Sequence, residues 1–182
     1  LHFEFNGYHA IEVETPNGIE KIIDLEGGSS ILKVGSPDID HWTSSIIIPD
    51  EGTTSVEVIS SSYHDFYNIS VAPSKGNFSR MINPEDVAYE YLDAYQTDDF
   101  YPGVLSELRD PYIIRDLRGQ TVVVYPLQYN PTTKTLRLYT EIDLKITTTM
   151  ASGLNVLNRN TSNQSISKEY NAIYESLFLN YA

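Results

Sequence analysis

Short runs in which apolar and polar residues alternate, separated by turn signals, make up most of this chain. The longest alternation covers residues 136–146, where every second residue from Leu136 onward is apolar, except Thr140, and the residues between them are polar or charged. This pattern predicts a strand with one buried face in an antiparallel sheet. Because the turn-forming segment 128–134 precedes it, we expect residues 121–146 to form one hairpin.

Several shorter segments have the β-branched, aromatic or alternating composition of strands. They cover residues 1–5, 10–14, 19–25, 46–48, 55–59 and 63–71. Tight-turn residues such as Asn6-Gly7 punctuate them. Many short strands joined by turns predict a mainly β fold, an antiparallel β-sandwich or jelly-roll-like single domain with a short C-terminal helix. The alternative is an α+β domain in which residues 85–110 are partly helical, because Pro84 suits a first helical position.

One segment near the end of the chain changes to helical spacing. Its apolar and aromatic positions are Tyr170, Ile173, Tyr174, Leu177, Phe178 and Tyr181. With Ser167 as N-cap and Glu169 in the first turn, they predict an amphipathic helix over residues 168–181. We expect its apolar stripe to pack on this domain rather than on a partner.

The same patterns set the organisation of the chain. A strand-rich region over residues 1–148 is followed by a predicted linker over 149–167, which is rich in Asn, Ser and Thr, and then by the helix. A chain of 182 residues is long enough to bury about 70% of the surface that its unfolded form exposes. We therefore predict a single domain over residues 1–182.

Charge and composition exclude several classes of function. The chain has 12 Lys and Arg against 25 Asp and Glu, a formal net charge of −13, so nucleic acid is disfavoured as a partner. It has no cysteine, which excludes disulfides and a cysteine nucleophile within these residues. No apolar run approaches the ~18 residues of a membrane span. Because the chain begins at Leu1 rather than Met, we expect it to be a fragment or a processed product.

The residue types that carry catalysis are not arranged for it. The four histidines lack metal-site spacing, and neither a nucleophile elbow nor a phosphate-binding glycine loop occurs. Asp38 and Asp40 are not part of a calcium-binding loop. We therefore predict no catalytic residue, no metal and no cofactor. Three arginines are interpreted as salt-bridge partners or surface residues: Arg109, Arg115 and Arg118.

One stretch carries a more specific signal. Residues 71–84 read Val-Ala-Pro-Ser-Lys-Gly-Asn-Phe-Ser-Arg-Met-Ile-Asn-Pro. This stretch resembles the prodomain of arginine-specific gingipains, peptidase family C25, whose pattern there is Ala-Pro-Ser-Lys-Gly, two residues, Ser-Arg, two residues, Asn-Pro. Further similar blocks follow in the same order between residues 100 and 142, and residues 173–181 are similar to the last segment of that prodomain.

The resemblance is not uniform along the chain. It is strong over residues 71–148 and 170–182 and weak over 1–62. Gly35-Ser36-Pro37 is similar to a Gly-x-Pro turn of the family, but residues 38–41 replace apolar residues and a proline. The resemblance therefore says least about the contacts that residues 1–62 make.

The resemblance implies a non-catalytic N-terminal prodomain that keeps its own cysteine endopeptidase latent, assists its folding and is removed on maturation. The inhibitory residue of the family falls on Arg80, flanked by Ser79 and Met81, with Lys75 in its place if the protease prefers lysine. An arginine-cleaving enzyme needs an acidic specificity pocket, which a guanidinium fills with several fixed donors. The expected partner is the C25 catalytic domain of the same precursor, secreted or held in the periplasm or on the outer surface of a bacterium.

Two other functions are compatible with the sequence. The first is a non-catalytic module that binds carbohydrate or another protein, with Tyr89, Tyr91 and Tyr95 as an aromatic ladder. The second is the prodomain of a C25 relative with another specificity, such as a secretion-system sortase, in which case Arg80 would have no acidic pocket to fill.

Overall fold

Two antiparallel sheets and a separate hairpin build the protein, in a computed structural model that describes residues 1–150, 152–159 and 168–181. The strands are β1 (His2–Glu4), β2 (His9–Thr15), β3 (Gly18–Asp24), β4 (Ser29–Ser30), β5 (Asp40–Ile47), β6 (Thr53–Phe66), β7 (Ser106–Leu108), β8 (Tyr112–Ile114), β9 (Leu117–Val124), β10 (Leu127–Asn130) and β11 (Thr135–Thr149). The helix is α1 (Lys168–Leu177), and two 3₁₀ turns lie at Pro84–Asp86 and Asp93–Tyr95.

Strand β11 is the centre of the first sheet. Strand β6 pairs with nearly its whole length on one side, through two register shifts, while β1 and β10 share the other side. In the second sheet β5 and β9 are the central pair, with β4 beside β5 and with β7 and β8 beside β9. Strands β2 and β3 pair with each other, and β3 also forms isolated parallel bridges from Lys21 to Val71 and from Ile23 to Ile39.

The core lies between the inner faces of the two sheets. One cluster joins β1 and β11 to β5 and β9 through Phe3, Ile142, Leu144, Ile46, Ile48, Val122 and Val124. A second joins β3, β10 and β11 through Ile23, Leu25, Ile39, Val71, Leu127, Tyr129, Leu136 and Leu138. The buried residues of β11 alternate along the strand as its sequence predicts. The predicted mainly β, antiparallel sandwich is confirmed.

The predicted hairpin over residues 121–146 is wrong. Strand β9 ends at Val124 and pairs with β5, whereas β10 and β11 form a hairpin in the other sheet. The chain crosses between the sheets at Tyr125 and Pro126, where proline lacks the N–H that would continue a strand ladder. The tight turn expected at Asn6-Gly7 likewise joins no hairpin, because β1 pairs with β11.

The end of the chain lies against the exposed edge of β5. Helix α1 ends at Leu177, earlier than predicted, because the following residues pair with that edge: Leu179 N donates to Ser45 O at 2.9 Å. The Asn180 amide accepts from the backbone N of Ile47 at 2.7 Å and donates to its O at 2.9 Å. Tyr174 and Phe178 are buried, so the apolar stripe packs on this domain. The predicted N-cap, residue 167, lies outside the described residues.

Arg118 holds the segment before the helix. Its guanidinium is fully buried and donates to four backbone carbonyls: Pro49 O at 2.8 Å, Gly52 O at 3.0 Å, Leu154 O at 2.6 Å and Asn155 O at 3.0 Å. We call this arrangement the Arg118 clasp. The interpretation of Arg118 as a salt-bridge or surface residue is wrong, since its partners are carbonyls.

Among the described residues, no helix has both the length and the apolar composition that a membrane-spanning helix requires.

Candidate functional site

The segment 75–83, called here the Arg80 loop, rises from a framework of paired backbone. Pro73 forms an antiparallel bridge with Pro37. Ser74 N donates to Ser36 O at 2.8 Å, and Gly35 N donates to Ser74 O at 3.0 Å. The segment Gly35-Ser36-Pro37, noted in the sequence as a turn, therefore pairs through its backbone with the residues that lead into the loop.

Two glycines allow this close approach. Gly76 has a φ of 76° and Gly35 a φ of 71°, in the left-handed region that favours glycine. A Cβ atom on Gly76 would overlap the side chain of Val34, and one on Gly35 would overlap the side chain of Leu92. Chain direction and packing at the base of the loop thus both require glycine.

The two ends of the loop are tied together. The Lys75 ammonium donates to Pro84 O at 2.8 Å and lies 4.2 Å from the centre of the Tyr89 ring. Asn83 Oδ1 accepts from Glu85 N at 3.2 Å and caps the 3₁₀ turn that follows. Pro84 occupies the first turn, as the sequence predicts, but only three residues adopt the 3₁₀ conformation. Lys75 thus connects the two ends of the loop.

The tip of the loop is a turn with Arg80 and Met81 in its middle. Ile82 N donates to Ser79 O at 2.9 Å, and Met81 N donates to Ser79 Oγ at 3.3 Å. Met81 is 95% exposed, and Arg80 is exposed as well. Among the described residues no hydrogen bond or ion pair engages the Arg80 guanidinium. The loop therefore presents an unpaired cation next to an apolar side chain.

An acidic group lies under this framework. Asp38 N donates to Ala72 O at 2.8 Å, and its own carbonyl accepts from Ile23 N at 3.0 Å. Burial, together with the charges of Asp24 and Asp40, raises the pKa of the Asp38 carboxyl to about 6. Its Oδ1 atom is buried and has no hydrogen-bond partner among the described residues. The support of the loop thus contains a carboxylate that is poorly stabilised when ionised.

The tyrosines considered as a sugar ladder are used inside the protein. Tyr95 donates to Val71 O at 2.8 Å, and the Tyr91 hydroxyl bonds to the Glu20 carboxylate. Burial and this carboxylate raise the pKa of Tyr91 to about 12. The rings of Tyr91 and Tyr95 pack edge to face with their centres 4.9 Å apart, and the Lys75 ammonium lies over the Tyr89 ring. These contacts fix the framework of the loop and do not form a flat platform.

The Arg80 loop combines an exposed cation with an exposed apolar side chain. In the described residues no group of three or more His, Cys, Asp or Glu side chains could hold a metal ion. The sequence predicts Ser79, Arg80, Met81 and Lys75 as site residues, and these four lie together on one loop. Sequence reasoning missed the support from residues 33–38 and from Leu92, although the Gly-x-Pro turn was the signal that could have located it.

The whole chain matches a known family. The family model Propeptide_C25 matches residues 1–178. Gingipain R2 of Porphyromonas gingivalis strain ATCC 33277 is 36% identical over 181 residues, which cover 100% of this chain and 24% of that protein. Gingipain R1 of Porphyromonas gingivalis is 35% identical over 181 residues, 100% of this chain and 18% of that protein. The chain thus spans about a quarter or less of these relatives, and the match includes residues 1–62, where a weak resemblance was predicted.

Two solved structures are similar to this fold. The complex of Porphyromonas gingivalis RgpB pro- and mature domains matches with a TM-score of 0.88 at 36% identity, over 99% of this chain and 90% of that one. A structure described as giving insight into the zymogenic latency of gingipain K from Porphyromonas gingivalis has a TM-score of 0.67 at 23% identity, over 81% of this chain and 86% of that one. At that identity the second match concerns the fold alone.

The fold and these matches together define a propeptide domain of the gingipain type, which is non-catalytic and separate from the catalytic domain of its relatives. In particular, this chain belongs to the C25 propeptide family.

Proposed function

We propose that this chain is the inhibitory prodomain of a C25 cysteine endopeptidase, and that Arg80 occupies the specificity pocket of the catalytic domain in the same precursor. The observation that carries the proposal is the state of Arg80: it lies exposed at the tip of a loop tied at both ends, and no described residue pairs with it. The similar RgpB pro-domain was solved in complex with its mature domain, which supports an interdomain partner for this chain.

The geometry of the loop favours tight binding. A loop that is already ordered loses less conformational entropy on docking than a mobile one. The Lys75 bond to Pro84 and the Asn83 cap supply this order from the two ends. In the pocket, the guanidinium of Arg80 would pair with a carboxylate through two or more hydrogen bonds, while Met81 would bury its exposed apolar surface. Lys75 is less suited to this role, because its ammonium is already engaged.

The proposal includes folding assistance and an extracytoplasmic location. A domain with its own two-sheet core can offer a preformed surface to a catalytic domain that is still folding. We place the precursor outside the cytoplasm, secreted or at the bacterial periplasm or outer surface, by analogy with its gingipain relatives.

The test is inhibition by the purified chain of the catalytic domain encoded in the same precursor, with an arginyl substrate. Arg80→Ala should raise the inhibition constant about 30-fold or more, because loss of one partner of a buried ion pair costs about 2–5 kcal/mol. Arg109→Ala is the matched control, since Arg109 is also exposed but lies outside the loop. It should leave the constant unchanged.

An Arg80→Ala chain that inhibits as well as the unmodified chain would remove Arg80 from the mechanism. A catalytic domain that the unmodified chain does not inhibit would overturn the inhibitory function itself.

A further inference from the structure

Four exposed apolar side chains lie on or beside the Arg80 loop, and we call them the apolar collar. Ile82 belongs to the turn at the tip of the loop, and Leu32, Val34 and Leu92 lie next to its base. Val34 packs over Gly76 and Leu92 over Gly35, the two glycines that set the base of the loop. Leu92 N also donates to Gly35 O at 3.0 Å, so the backbone holds this part of the collar next to the loop. The collar is therefore part of the surface from which Arg80 projects.

Leu32 is the most informative member of the collar. Its backbone has a φ of 55°, in the left-handed region that leucine rarely adopts. The preceding Ile31 packs against the core, whereas Leu32 is 47% exposed. Two unfavourable features, a strained backbone and an apolar side chain in water, thus occur at one residue beside the loop. Strain of this kind persists where the surrounding structure imposes it, and it occurs preferentially at functional sites.

We propose that the apolar collar is a second contact surface for the catalytic domain, independent of the specificity pocket, and that Leu32 is its main contact. This inference rests on the proposed function and deepens it. The occupant is the catalytic domain because the collar is continuous with the loop that would enter its cleft. The chain also spans only 24% of a relative such as gingipain R2, so most of such a precursor lies outside this domain.

The collar would give affinity that does not depend on charge. An arginine in a carboxylate pocket is recognised as any arginyl substrate would be. With apolar contacts around the cleft, the prodomain would bind more tightly than a substrate that offers only its arginine. The free energy of burying apolar surface adds roughly to that of the pocket interaction when the two groups are separated. At comparable concentrations, the prodomain would then occupy the cleft in preference to a substrate.

The test is Leu32→Asn, because asparagine tolerates the left-handed backbone and is polar. If the collar docks, the inhibition constant rises about tenfold, the value expected when half of a leucine is no longer buried on binding. At the same time the isolated chain should melt at the same temperature or about 2–4 °C higher, because backbone strain is relieved. A loss of affinity together with a gain of stability is not what a purely structural role would give.

Ile113→Asn is the matched control, since Ile113 is 45% exposed on β8 and lies away from the loop. It should leave the inhibition constant unchanged. Val34→Thr is a second variant that keeps the branched shape over Gly76, and it should weaken inhibition about threefold.

The outcomes separate this inference from the proposed function. If Arg80→Ala weakens inhibition but Leu32→Asn and Val34→Thr do not, the collar proposal is overturned and the inhibitory function stands. If the unmodified chain does not inhibit, both are overturned. In an Arg80→Ala background, Leu32→Asn should still cost about the same factor of ten, because separated contacts add; no further loss there would contradict an independent second contact.

Discussion

Two arginines in this protein occupy opposite environments. Arg118 is fully buried and donates to four backbone carbonyls. In the same sheet, Asn180 bonds to Ile47 of β5. Arg80 is exposed at the tip of its loop and has no partner in the described part of the chain. The same side chain thus completes the fold in one region and is presented to the outside in the other.

The difference extends to the surroundings of each arginine. Around Arg118 each guanidinium nitrogen donates to at least one backbone carbonyl, in keeping with the pairing that buried polar groups require. Around the Arg80 loop, Leu32 has a strained backbone, and one oxygen of Asp38 is buried with no hydrogen-bond partner in the part of the chain that the structure describes. The clasp is therefore well satisfied in its hydrogen bonds, whereas the loop region carries unfavourable features that a bound partner could compensate.

The largest effect is expected at the clasp. Arg118→Ala should lower the free energy of unfolding by about 3–5 kcal/mol, because it leaves buried carbonyls unpaired and creates a cavity. Arg118→Lys should be intermediate, since lysine keeps the charge but not the fork of donors. Chemical denaturation measures both.

The control at the clasp is Arg115→Ala, because Arg115 lies at the surface, 3.3 Å from Asp116 and over the Tyr170 ring. It should cost less than about 1 kcal/mol. A loss below 1 kcal/mol for Arg118→Ala would remove the contrast between the two regions.

The next effect is a pH dependence at Asp38. The pKa of this carboxyl is raised to about 6 in the folded chain, so the folded state keeps a proton that the unfolded state has lost. Asp38 therefore contributes most stability below the unfolded pKa, and that contribution disappears as the pH rises through about 6. Asp38→Asn should gain about 1–3 kcal/mol relative to the unmodified chain at pH 8 and gain little at pH 4.

Denaturation of both chains between pH 4 and pH 8 measures this difference. Asp110→Asn, at an exposed aspartate outside the framework, is the matched control for the loss of one carboxyl. A difference for Asp38→Asn that stays the same from pH 4 to pH 8 would contradict the interpretation of Asp38 as a destabilising carboxylate.

The smallest effect is expected at Lys75. Lys75→Met keeps the aliphatic stem but removes the bond to Pro84 and the contact with the Tyr89 ring. Loss of this tie should raise the inhibition constant about fivefold, equivalent to ~1 kcal/mol, and should change the stability less than that. An effect as large as that of Arg80→Ala would instead make Lys75 the residue that enters the pocket.

The sequence predicts the strands better than it predicts their partners. The alternation along β11 and the composition of β9 depend on neighbours within each strand, so both strands are found where the pattern places them. Whether two consecutive strands pair is decided by contacts distant in sequence, and for this reason the hairpin over 121–146 was wrong. The four residues of the candidate site lie within seven consecutive positions, 75–81, inside the stretch that resembles the family pattern.

The support beneath the loop was harder to predict. Residues 33–38 meet residues 72–74 across a separation of more than thirty positions, and no local pattern encodes that pairing. Arg118 was misinterpreted for a related reason. An arginine that bonds to carbonyls looks in the sequence like any surface arginine, since its four partners come from residues 49–52 and 154–155.

A crystal structure of this chain bound to the catalytic domain of its precursor would show whether the side chain of Arg80 fills the specificity pocket, as we propose. We expect the Arg80 guanidinium inside that pocket, within hydrogen-bond distance (about 2.7–2.9 Å) of a carboxylate. A pocket that is empty in the complex, or an Arg80 side chain that remains in solvent, would overturn the proposal.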